Sequence, residues 1–118
     1  TAKAVYPFLK EKGQGDIVNV ASTAGLKGGP NMSAYAASKA AVVSLSQSMM
    51  AEWRKQNIRV ITLTPSTIAS EMSINGGLTD GNPDKVLQPE DFAEWVRDIL
   101  KMNRRAMIAN ASIFSTNP

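Results

Sequence analysis

The sequence predicts an α/β fold with a parallel sheet. Two short, largely apolar segments, residues 16–21 and 58–63, have the composition of strands buried on both faces. A long helical pattern over residues 33–56 separates them. Strand, helix and strand in this order imply a right-handed parallel crossover.

The elements follow in order. Ala2–Lys12 has a helical pattern, with Ala4, Val5, Phe8 and Leu9 among its apolar positions. Pro7 suggests an early turn or a kink, and Gly13-Gln14-Gly15 ends the helix. After the first strand, residues 23–32 form a loop rich in Gly and Pro. In the long helix, Ala34, Ala37, Ala40 and Ala41 give a narrow face that permits close packing. Leu45, Met49 and Trp53 continue an apolar stripe. Most of that stripe is expected in the core. Residues 65–88 read as a long loop, with Gly76-Gly77, Asp80-Gly81 and Asn82-Pro83, and loops of this length are usually functional or mobile. Residues 89–102 form an amphipathic helix opened by Pro89, with Glu90 and Asp91 near the positive end of its dipole. Phe92, Trp95, Val96, Ile99 and Leu100 line one face, and residues 106–114 complete the chain as a last strand.

Composition narrows the chemistry. The 118 residues suffice for one small domain. Zero cysteines exclude disulfides and thiolate catalysis, and are compatible with the expected cytoplasmic location. Zero histidines rule out a Ser-His-Asp triad within the chain. No carboxylate cluster has metal-ligand spacing, so no metal is expected. No apolar run approaches the roughly 18 residues of a membrane span, and no leader pattern is visible. The net charge of +3 is scattered apart from Arg104-Arg105, which argues against nucleic-acid binding. Basic residues could still attract an acidic carrier protein.

Three residues form a candidate catalytic set. Tyr35 and Lys39 are four apart, so a helix places both side chains on one face. Ser22 follows the first strand and can meet them from the sheet. A ketone that accepts a hydride becomes an alkoxide and needs a proton. Phenols are weak acids near neutrality, with an ordinary pKa of about 10, and a nearby ammonium favours the phenolate. A serine hydroxyl can stabilise the developing oxyanion. Ser22 would thus orient the substrate, Tyr35 would be the general acid/base, and Lys39 would tune Tyr35. Tyr6 and Lys10 repeat the spacing, but no strand-end serine precedes them, so they read as a helix face with a snorkelling lysine.

The order Asn19-Val20-Ala21-Ser22, Tyr35 to Lys39, then Pro65-Ser66-Thr67-Ile68-Ala69-Ser70 resembles the short-chain dehydrogenase/reductase family. Within it, the chain looks most like bacterial 3-oxoacyl-(acyl-carrier-protein) reductases. The resemblance implies the C-terminal half of a Rossmann-like, doubly wound parallel sheet. It implies an NAD(P)-dependent oxidoreductase acting on a carbonyl/alcohol pair, small-molecule or acyl-carrier-bound. By resemblance, Ser22, Tyr35 and Lys39 are catalytic. Tyr35, Lys39, Pro65, Ile68 and Ser70 border NADP or NAD. Lys39 would hydrogen-bond the nicotinamide ribose, and the Ile68 backbone would meet the carboxamide. Ser70 replaces the family's usual threonine and keeps its hydroxyl. Ser66 replaces the usual glycine, which is costly if that position needs positive φ. The loop 65–88 would cover the substrate, and the helices 2–12 and 33–56 would pair copies into a homo-oligomer. Asn19 reads as structural, closing backbone hydrogen bonds near the strand end.

The family's Gly-rich phosphate cradle is expected well upstream of its serine, and only 21 residues precede Ser22 here. Gly25-Leu26-Lys27-Gly28-Gly29 follows a strand with the wrong spacing and reads as a turn. Residues 1–118 are therefore expected to be one partial domain, the catalytic half, with the N-terminal dinucleotide-binding half missing. The competing expectation is a non-catalytic fragment whose helices act as an association module.

Overall fold

The computed structural model describes residues 1–118. Strands β1 (Gly15–Val20), β2 (Ile58–Pro65) and β3 (Asn110–Ile113) form one parallel sheet in the order β1-β2-β3. Helix α1 (Ala2–Lys12) precedes the sheet, and α2 (Ser33–Trp53) crosses from β1 to β2. A short α3 (Glu71–Asn75) and the longer α4 (Pro89–Lys101) link β2 to β3.

Every residue of the central strand β2 is buried, and period-2 alternation sends its side chains to two separate cores. Ile58 and Val60 join Met49 and Trp53 of α2, with Ala2, Tyr6 and Leu9 of α1 packed alongside. Ile61 and Leu63 meet Ile99 of α4, with Phe92, Trp95 and Val96. Helices thus cover both faces, the arrangement of a doubly wound sheet. Each buried Val, Leu or Ile contributes about 1.5–3 kcal/mol. Tyr6 secures α1 to the end of α2: its ring stacks on Trp53 at 4.5 Å and its hydroxyl donates to Gln56 Oε1 at 2.6 Å.

Several boundaries and faces differ from the sequence expectation. Helix α1 keeps its expected bounds with Pro7 inside it, and because proline has no N–H the Lys3 carbonyl lacks the usual i+4 donor. It ends at Gly13, whose φ of 75° is easy for glycine. Its packed face is Ala2, Tyr6 and Leu9, while Phe8 is 72% exposed. In α2 the buried stripe is Ala36, Val43, Ser46, Met49 and Trp53. The Ala34, Ala37, Ala40 and Ala41 face points outward, and Leu45 is 58% exposed. A polar contact sets this rotation: Asn19 Nδ2 donates to the fully buried Ser46 Oγ at 2.9 Å, which donates to the Val42 carbonyl at 2.7 Å. Asn19 is structural as expected, but its partner is a helix side chain rather than strand backbone. The last strand contracts to Asn110–Ile113.

A charged clamp closes the end of the sheet where the strands begin. Arg59, 4% exposed within β2, donates to both carboxylate oxygens of Asp16 at 2.7 and 2.8 Å. It also donates to the carbonyls of Leu100 at 3.1 Å and Met102 at 3.1 Å, satisfying the C-terminal end of α4. Arg104 adds a bond to Asp16 at 3.0 Å and reaches the carbonyls of Gly15 and Asn57. The Arg59 hydrogen bonds, reinforced by Arg104 and opposed by burial, hold the Asp16 carboxyl below its ordinary pKa.

Candidate active site

The candidate residues gather at the opposite end, where the parallel strands finish. Open α/β sheets bind ligands outside these carboxyl ends. The β1–β2 register closes on Val20↔Leu63. Two residues beyond each partner come Ser22, just past β1, and Pro65, the last residue of β2, so the chain leaves the two strands side by side.

Ser22 caps a single 3₁₀ turn, Thr23–Gly25, and its Oγ accepts from the Ala24 N–H at 3.2 Å. That turn lies directly on the first turns of α2. A Cβ added to Gly25 would stand 2.7 Å from the Lys39 carbonyl carbon and 2.8 Å from its oxygen. Gly25 therefore allows the Ser22 turn to approach the backbone that carries Lys39. In the sequence Gly25 reads as an ordinary turn residue. Its position three places after Ser22 was the available signal.

On α2, Tyr35 and Lys39 share a face as their spacing requires. The Lys39 Nζ is 5.6 Å from the Tyr35 ring centroid. Tyr35 is 43% exposed, and its phenol is accessible. Ala36, the next residue, turns into the core and anchors the helix. No hydrogen bond joins the Ser22, Tyr35 and Lys39 side chains to one another. Tyr6 has no such role in view: its hydroxyl is engaged by Gln56.

Pro65 ends β2, paired with Ile113, and beyond it Ile68 and Ser70 sit in a tightly bonded strap. The Ser66 N–H donates to the Ile113 carbonyl at 2.8 Å. Ser66 is not among the residues with positive φ, so serine in place of glycine carries no strain. Ile68 forms an isolated parallel bridge with Leu87, and the Ala69 N–H donates to the Leu87 carbonyl at 2.8 Å. Ser70 caps α3 through a bond from the Ser73 N–H at 3.1 Å. The expected loop 65–88 is thus partly ordered by a helix of its own. The Ile68 N–H makes no hydrogen bond within the chain. An unspent backbone donor at this edge suits a ligand carbonyl such as a carboxamide oxygen.

Comparison with known proteins places the chain in a family. The family model for short chain dehydrogenase matches residues 1–81. The chain is 39% identical over 113 residues to an inactive 2-(S)-hydroxypropyl-CoM dehydrogenase 2 of Xanthobacter autotrophicus, covering 96% of this chain and 48% of the relative. It is 46% identical over 110 residues to a 2-dehydro-3-deoxy-L-rhamnonate dehydrogenase (NAD(+)) of a Sphingomonas species, covering 93% and 39%. A structure of 4-hydroxyisoleucine dehydrogenase with NADH and succinate aligns with a TM-score of 0.82 at 30% identity, covering 97% and 51%. A betaketoacyl-ACP reductase from Bacteroides thetaiotaomicron aligns with a TM-score of 0.80 at 26% identity, covering 98% and 46%. The chain spans about half the length, or less, of these relatives. It belongs to the short-chain dehydrogenase family.

Proposed function

We propose that residues 1–118 are the catalytic half of an NAD(P)-dependent oxidoreductase that interconverts a carbonyl and an alcohol. The observation that carries this reading is the Tyr35–Lys39 face, with Lys39 Nζ 5.6 Å from the ring, set beside the Ser22 turn at the carboxyl end of the sheet. A bound nicotinamide dinucleotide supplies or accepts the hydride. In the reducing direction the Ser22 hydroxyl donates to the substrate oxygen and steadies its developing charge. Tyr35 gives that oxygen its phenolic proton. Lys39 holds the ribose and keeps a positive charge beside the phenol that becomes phenolate. Pro65, the Ile68 backbone and the Ser70 hydroxyl border the nicotinamide. The upstream half would bind adenine and pyrophosphate.

Relatives named for NAD(+) and NADH support NAD, and NADP remains within the proposal. The higher identity to an enzyme named for a sugar-acid derivative favours a small-molecule carbonyl. Acyl-carrier-bound 3-oxoacyl substrates are the second choice, supported by the more distant reductase structure. Exposed Phe8 on α1 and Leu45 on α2 support pairing of copies through these helices. A cytoplasmic location belongs to the same proposal, supported by the absence of cysteine. No helix is long and apolar enough to cross a membrane.

The same exposed residues and the unpaired outer edge of β1 favour a second reading, an association module without turnover. Titration with NADH, followed by fluorescence, separates the two. The first requires saturable binding and reductase activity once the upstream half is present. Stable self-association with no binding and no activity would establish the second.

A further inference from the structure

We propose that Ser73, which lies outside the catalytic set, is a positioning residue that presents the Ile68 N–H to the dinucleotide. This rests on the reading of Ile68 as a nicotinamide contact. Ser73 is 4% exposed, although its helix α3 is otherwise a surface element. Its hydroxyl donates to the Ile68 carbonyl at 2.7 Å and accepts from the Ser70 N–H at 2.9 Å. A serine has one proton to donate, and the Ile68 carbonyl is its nearest acceptor; the Ser70 carbonyl lies at 3.0 Å.

The Ile68 carbonyl and the Ala69 N–H belong to one planar peptide unit. Ser73 holds the carbonyl end, and the Leu87 carbonyl holds the N–H end at 2.8 Å. Leu87 is itself fixed, because its N–H donates to Ser115 Oγ at 3.0 Å. With that unit pinned, the chain is fixed on one side of the Ile68 Cα, the Ser66 N–H bond to the Ile113 carbonyl at 2.8 Å anchors it two residues upstream, and the Ile68 N–H between them has no partner within the chain. A donor aligned before binding loses less entropy when a ligand takes it. The Ser70 hydroxyl, 3.1 Å from Ser73 Oγ, is held by the same group.

The test uses the enzyme that joins these residues to their upstream half. Ser73→Ala should weaken dinucleotide Kd and raise its KM about tenfold, the effect of one hydrogen bond, with kcat within about threefold of wild type. Ser73→Thr, which keeps the hydroxyl, should restore both constants. Amide hydrogen exchange without dinucleotide should speed up at Ala69 and Ser70 in Ser73→Ala. Ser73→Cys, nearly isosteric and a weak donor, should give an intermediate Kd and covers the case in which the alanine variant does not fold. Unchanged Kd in the folded variants, with lowered melting temperature alone, would reduce Ser73 to a structural cap and overturn the proposal. Wild-type enzyme that binds no dinucleotide would instead overturn the reading of Ile68, and the proposal with it.

Discussion

The Lys39 ammonium lies 5.6 Å from the centre of the Tyr35 ring, one helical turn away on the same face of α2. Tyr35→Phe keeps the ring and this contact while removing only the hydroxyl. Turnover of the complete enzyme should fall by about 10²–10⁴, the usual contribution of a positioned general acid. Circular dichroism and the melting curve should be unchanged. Steady-state assay of the folded variant decides the matter, and full activity would assign the proton to another group.

Ser22 carries two duties that substitution can separate. Its oxygen accepts the Ala24 N–H at 3.2 Å, and its proton is proposed for the substrate. Ser22→Ala should cost about 1 kcal/mol of stability and about 10²–10³ in kcat. Ser22→Asp restores an acceptor without a donor. It should recover the stability, read from urea unfolding, while kcat stays low.

Gly25→Ala places a methyl against the Lys39 carbonyl, 2.7 Å from its carbon, where neither side is a flexible chain end. Backbone must shift. Destabilisation of about 1–3 kcal/mol is expected, together with a lower kcat as the Ser22 turn moves off α2. Loss of stability without loss of kcat would mean that the turn gives way without disturbing Ser22.

Asp16 makes the protein sensitive to acid. Its folded pKa is depressed, chiefly by the Arg59 hydrogen bond, so its stabilisation is fully present above the ordinary carboxylate value of about 3.9. That stabilisation is lost as pH falls through the lower folded value. Urea midpoints measured from pH 7 to pH 2 should show the decline. Asp16→Asn leaves Arg59 buried without its counter-charge, costs about 3–5 kcal/mol near neutrality, and removes this component of the pH dependence.

Much of this was legible because the signals are local. The apolar run of residues 58–63 and the helical pattern of residues 33–56 point to β2 and α2, and a four-residue spacing brings Tyr35 to Lys39. What stayed hidden depends on distant partners. Arg59 looks like a surface charge until Asp16, 43 residues away, and the carbonyls of α4 surround it. The buried face of α2 is set by Asn19 meeting Ser46, a polar pair that a search for apolar stripes passes over. Helix α3 has five residues, too few to carry a periodicity, and is stabilised by its Ser70 and Ser73 caps. Residues 106–109 look like strand, but the ladder with β2 begins only at Asn110.

The clamp around Asp16 also imposes an order on assembly. During synthesis Asp16 emerges before either of its cationic partners, with Arg59 43 residues behind and Arg104 88 residues behind. Until Arg104 arrives, the carbonyls of Gly15 and Asn57 that it will join lack this donor. The starting end of the sheet is therefore locked only after β1, α2, β2 and α4 are all made, and β3, which pairs with residues 62–65 at the opposite end, follows later still. A ribosome-bound chain stopped short of Arg104 would carry the Tyr35–Lys39 helix and the Ser22 turn without the bonds that tie the segment after α4 to Asp16, Gly15 and Asn57.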